Sequence, residues 1–141
     1  MNTNYRRSIK FFAASLLLAA LSACGELPYT NLSNAELQMM LEKETAIYDV
    51  RRPEEWRETG IVEGSKLLTF VDTSGRLKPD FIQRFTAEIA PDEPVILICR
   101  TGNRTGTLAR LLVEQLGYTQ VYNVRNGITE WIRDSNPVKR L

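Results

Sequence analysis

The chain has 141 residues, with 18 Lys and Arg against 17 Asp and Glu, and no histidine. So even a balance offers no basic excess for a nucleic-acid backbone, and without imidazole there can be no Ser–His or Cys–His nucleophile pair and no histidine-containing metal site. The length suits one domain with its own core, and no segment repeats.

Taken in chain order, Arg6, Arg7 and Lys10 precede an apolar run from Phe11 to Leu21. A basic start, a run short for a bilayer span and a small-residue ending predict a secretory signal over residues 1–23. Its removal takes away three positive charges and no negative ones, leaving 15 basic against 17 acidic side chains. The ending LLAALSAC resembles the lipobox of bacterial lipoproteins, which implies acylation of Cys24. An ordinary signal cleaved after Ala23 is the alternative. Acyl chains, at about 0.8 kcal/mol per buried methylene, would hold the protein at a bilayer. Gly25 after the cysteine leans, by the same resemblance, toward the outer membrane, facing a bacterial periplasm. Residues 24–31 are expected to be a lipidated start and tether, and 32–141 the folded domain.

Ser33 with Glu36 forms a capping box, and Leu37, Met40 and Leu41 share a face, so 34–43 reads as an amphipathic helix. AIYDV (46–50) reads as a short buried strand, and Pro53 suits the first turn of a brief helix through Trp56. A second strand is expected near 65–68, a turn at Ser74 and Gly75, and a helix over 79–88 with Phe81, Ile82 and Phe85 inward. PDEP (91–94) breaks the chain. VILI (95–98) has no alternation, the mark of a central strand covered on both faces. From Thr105, Leu108, Leu111, Leu112 and Leu116 recur at helical spacing until Gly117. VYNV (121–124) is the next strand and 127–133 a closing helix. This alternation predicts a three-layer α/β domain with a largely parallel sheet and helices on both faces.

Cys99 therefore ends a buried central strand, and its loop feeds a helix N-terminus, the edge where open parallel sheets bind ligands. Gly102 lets successive amides of residues 100–104 turn toward one centre, and the helix end and Arg104 add positive potential. All of these favour a thiolate, a nucleophile that needs no general base. If Cys24 carries lipid, a disulfide is closed to it and Cys99 is a free thiol. A strand-to-helix turn around an inert cysteine is the alternative on these residues alone.

The loop CRTGNRT (99–105) resembles the active-site loop of rhodaneses, sulfurtransferases that carry sulfur as a cysteine persulfide. The likeness extends to YDVRRPEEW (48–56) and VYNVRNGITEW (121–131), in the same order. Rhodanese-like phosphatases and arsenate reductases of the Cdc25-like branch place an arginine six residues after the cysteine. Here that position is Thr105, and Arg104 is five after, so the shorter ring resembles the sulfurtransferase branch.

The resemblance implies that Cys99 is the persulfide-forming nucleophile and that Arg100, Thr101, Gly102, Asn103 and Arg104 form the loop around it. Arg100 would lie where an incoming anion such as thiosulfate passes, or would simply be exposed. Asp49 and Arg51 would brace the site edge, and Trp56 and Trp131 would pack. It further implies a small sulfur anion or thiol as substrate, with cyanide or a protein as other sulfur acceptors, and no metal or organic cofactor. One departure stands out: GIVEGS (60–65) replaces the family's usual GHIPGA. A tethered binding module that recognises an anion or partner, and a redox-sensing thiol, are the competing readings.

Overall fold

In the computed structural model, which describes residues 25–141, parallel strands alternate with helices. They run β1 (Thr30–Leu32), α1 (Asn34–Glu42), β2 (Ala46–Asp49), α2 (Pro53–Thr59), β3 (Lys66–Leu67), α3 (Phe81–Glu88), β4 (Val95–Ile98), α4 (Asn103–Leu116), β5 (Val121–Val124) and α5 (Gly127–Arg133). The sheet order is β1-β5-β4-β2-β3, so β4 lies in the middle, with β5 on one side and β2 on the other. The expected α/β architecture with a parallel sheet is the one found.

Residues 95–98 form the centre because they are apolar at every position. Each is fully buried. Val95, Leu97 and Cys99 face a core built with Phe81 and Phe85 of α3 and Leu108 and Leu112 of α4. Ile96 and Ile98 face the other core, with Leu37 of α1 and Ile128 and Trp131 of α5. Burial of both faces is what a run without alternation requires. In the first core, the Phe85 ring lies 4.9 Å from Tyr48 and 5.7 Å from Phe81, centroid to centroid.

Helix boundaries follow local chemistry. Ser33 caps α1 reciprocally: Glu36 Oε2 accepts from the Ser33 amide at 2.7 Å, and Ser33 Oγ from the Glu36 amide at 3.4 Å. Pro53 opens α2, which runs on to Thr59, beyond the expected PEEW turn. α3 begins at Phe81, after Pro79, and Ile82 is only partly buried at the rim of the core.

Two expectations are corrected. The tether assigned to residues 24–31 enters the sheet: Thr30, Asn31 and Leu32 pair in parallel with Tyr122, Asn123 and Val124. Three residues are too few to show alternation, and their partners lie far along the chain. α4 starts at Asn103, two residues early, because Gly102 sits left-handed at its N-cap. The signal over 1–23 and the acylation of Cys24 lie outside the described residues.

The departing segment at 60–65 is built into the frame. Ile61 and Lys139 exchange backbone hydrogen bonds of 3.0 and 2.8 Å, and Val62 is buried in the second core.

Candidate active site

Where β4 ends, the chain turns over the sheet and starts α4. Cys99 is 1 % exposed, and its Sγ accepts a hydrogen bond from the Gly102 amide at 3.2 Å. Thr105 Oγ1 lies 3.3 Å from the sulfur and 3.1 Å from the Gly102 carbonyl oxygen. With one proton to donate, that hydroxyl can serve the carbonyl while it accepts from a thiol, or turn to the sulfur when the sulfur is charged. The first amide of α4 bonded in the helical manner is Gly106, to Gly102 O. Those of Asn103, Arg104 and Thr105 are first-turn amides with no intrahelical acceptor, at the positive end of a 14-residue helix.

Two glycines allow the loop to close. Gly102 has φ +86°, and a Cβ there would fall 2.0 Å from Arg125 O. Gly127 has φ +61°, and its Cβ would fall 2.5 Å from Cys99 O. The loop and the β5–α5 turn interlock backbone to backbone. The amides of Ile128 and Thr129 donate to the carbonyls of Cys99 and Arg100 at 2.9 and 3.1 Å, and Thr129 Oγ1 adds a bond to Arg100 O at 2.8 Å.

Arg104 does not hang free over the sulfur. Its two terminal nitrogens donate to the two Glu55 oxygens at 2.8 and 2.5 Å, joining the loop to α2. Glu55 Oε2 also accepts from the Arg52 amide at 3.1 Å. Burial pushes the Glu55 carboxyl up, but the Arg104 pair and the Arg52 amide outweigh it and bring it from 4.5 to about 2. Arg104 is held above its ordinary range, chiefly by the Glu55 hydrogen bonds against the opposing effect of burial.

Deeper, Asp49 and Arg51 are 0 % and 1 % exposed and paired at 2.7 Å. The rest of the Arg51 guanidinium donates to the Glu55 and Gly60 carbonyls and to Thr59 Oγ1, at 3.3, 2.8 and 2.7 Å. Asp49 Oδ1 also accepts from Trp56 Nε1 at 3.0 Å. This network ties β2 to both ends of α2. Trp56 packs and also orients the carboxylate, while the Trp131 indole donates to Pro137 O at 2.8 Å.

Of the loop residues, Gly102 is buried, Arg104 partly buried, and Arg100, Thr101 and Asn103 exposed. Arg100 lines a cleft of about 180 Å³ with Glu55, Glu58 and Ile132. Glu55 and Thr105 were not singled out as site residues. The hints of Glu55 were its place in the YDVRRPEEW resemblance and in the first turn of α2, and its partner lies 49 positions away. Thr105 was legible only as a helix start. Among the described residues, no group of three or more Cys, Asp or Glu side chains could hold a metal ion.

The rhodanese-like domain pattern matches residues 33–134. A thiosulfate sulfurtransferase GlpE from Pseudoalteromonas translucida is 31 % identical over 104 residues, 73 % of this chain and 89 % of that one. Its namesake from Actinobacillus pleuropneumoniae serotype 3 is 41 % identical over 56 residues, 40 % of this chain, which thus spans about half of that relative's length (51 %). The crystal structure of a rhodanese-related protein from Thermoplasma volcanium superimposes with a TM-score of 0.60 at 26 % identity, covering 79 % of this chain and 98 % of that one.

Proposed function

Since the chain belongs to the rhodanese-like family, we propose that it is a sulfurtransferase that carries sulfane sulfur as a persulfide on Cys99. The observation that carries this reading is the setting of the sulfur: a Gly102 amide at 3.2 Å, a Thr105 hydroxyl at 3.3 Å, and a helix N-terminus whose first-turn amides have no intrahelical acceptor. Such donors stabilise negative charge on Cys99 and on a second sulfur bound to it. The sulfurtransferase names of two relatives support the same chemistry.

With thiosulfate as donor, the Cys99 thiolate attacks the outer sulfur. The S–S bond of thiosulfate breaks, its electron pair leaves on sulfite, and Cys99 keeps the sulfane sulfur. A thiol, cyanide or a protein thiolate then attacks that outer sulfur, and the pair of the breaking bond returns to Cys99. Arg100, exposed beside the small cleft, would meet the donor anion. Arg104, engaged by Glu55, acts by holding the loop and by its charge. Thiosulfate-treated protein should gain one sulfur atom by intact mass, cyanide should remove it, and Cys99→Ser should prevent the gain. Loading of the serine variant at the wild-type level would overturn the reading.

We also propose that the domain is held at a membrane through acylated Cys24 in the periplasm. Folded structure begins at Thr30, only a few residues further on, so the domain would sit close to the bilayer surface. Detergent partitioning of the expressed full chain should place it with membranes, and Cys24→Ser should release it; equal partitioning of the two would refute the anchor.

A further inference from the structure

Every strand of the sheet runs in the same direction, so its two edges differ in what they carry. Cys99 follows the last residue of β4 and stands on the edge where strands end. The chain enters β1 at Thr30, on the opposite edge. There Leu27 and Pro28 wall a small cavity of about 140 Å³ with Thr119 and Gln120, the residues that lead into β5. That corner is bonded to the turn before β4: the Thr119 amide donates to Pro91 O at 2.9 Å, and Gln120 Nε2 to Asp92 O at 2.7 Å.

Distances decide what an anchor at Cys24 permits. Three residue steps separate Cys24 from Leu27, and fully extended they reach at most about 11 Å. From Val95 to Cys99 the chain rises about 13 Å, and the loop of residues 100–104 stands beyond that. α4 starts beside the sulfur and runs back for 14 residues, about 21 Å, before the chain comes to Thr119. Turned over, with the Cys99 edge against the headgroups, the domain would need a longer leash than it has.

Charge alone favours that inverted pose. Arg100 and Arg125 are exposed on the Cys99 edge, whereas Glu44, Asp92 and Glu93 are exposed in the turns of the opposite edge. Attraction to anionic headgroups decays over about 8 Å at physiological salt. The Cys99 edge stands beyond that range, so the short tether prevails.

We propose that the acylated domain stands with its Cys99 edge turned away from its own bilayer, and that it exchanges sulfur with water-soluble partners and not with molecules embedded in that membrane. The inference rests on the anchor at Cys24 proposed above. Arg100 and Arg125 then meet anions that arrive from the aqueous phase.

The test uses the full acylated chain in vesicles of phosphatidylethanolamine and phosphatidylglycerol that contain a headgroup-labelled acceptor lipid. In a Cys99→Ser background, a donor dye is placed on Asp92→Cys, beside the Leu27 corner, or on Asn126→Cys, just after β5. Energy transfer should place the Asp92 dye nearer the headgroups by about 13 Å, the rise of β4. Equal distances, or a nearer Asn126 dye, would overturn the orientation while leaving the anchor standing. A chain whose mass shows no acyl group overturns anchor and orientation together. In the wild type loaded from thiosulfate, a lipid with a thiol headgroup should empty the persulfide no faster from the same vesicle than from separate ones. Discharge about ten-fold faster within one vesicle, as a shared surface predicts for a site that faces it, would overturn the choice of partner. If the wild type never loads sulfur, the functional reading falls and the dyes still decide the orientation.

Discussion

Two ion pairs lie within a few residues of each other behind the cysteine loop, and burial separates their roles. The Asp49–Arg51 pair is sealed, and every arm of its guanidinium ends on an oxygen of β2, α2 or the turn after α2. The Glu55–Arg104 pair keeps one face toward solvent, with Arg104 at 24 % side-chain exposure, and it alone reaches the loop. A sealed charge has no alternative partner and so acts as architecture. A charge that water can still reach sets the position of the element it holds without deciding whether the domain folds.

The largest effect should come from breaking the sealed pair. Arg51→Met leaves Asp49 buried and unpaired, and unfolding stability should fall by about 3–5 kcal/mol in urea titration. A loss no greater than that of an exposed pair would erase the contrast. Gly102→Ala comes next. Its Cβ would meet Arg125 O, and its φ favours glycine, so about 2 kcal/mol of stability should go, with slower sulfur loading in intact-mass time courses.

Glu55→Gln should cost about 1–2 kcal/mol at neutral pH and slow sulfur loading more than it lowers stability. Its pH dependence sharpens the comparison. The folded Glu55 carboxyl titrates at about 2, below its ordinary 4.5, so its contribution is fully present above 4.5 and lost as the pH falls toward 2. The stability gap between the wild type and this variant should close over that window, and a gap constant from pH 6 to 3 would contradict the pairing. The smallest effect belongs to Arg110→Ala, which removes an exposed pair one helical turn apart on α4 and should change stability by less than about 0.5 kcal/mol.

Much of the molecule was legible from its residues. The unbroken apolar run before Cys99, the capping box at Ser33 and the leucine spacing of α4 each state their structure within one or two turns of chain, because backbone geometry and local burial act at that range. The order CRTGNRT, after a buried strand and before a helix, located the sulfur and its loop. The edge strand at Thr30–Leu32, by contrast, carried no pattern of its own. It exists because β5 offers it an unpaired edge.

The partners of the loop were also hidden. Arg104 was read as a charge near the sulfur, and folding assigned it to Glu55. Thr105 looked like a helix start until the helix turned its hydroxyl toward Sγ. Asn31 and Asn123 meet across 92 positions. By itself the sequence determined which segments form the helices and every strand but the edge strand at Thr30–Leu32, and where along them the cysteine falls. Which charges are sealed, which hydroxyl meets the sulfur and which polar groups share a cleft were decided only when distant segments packed, because a side chain's partners depend on distances through space that spacing along the chain does not carry.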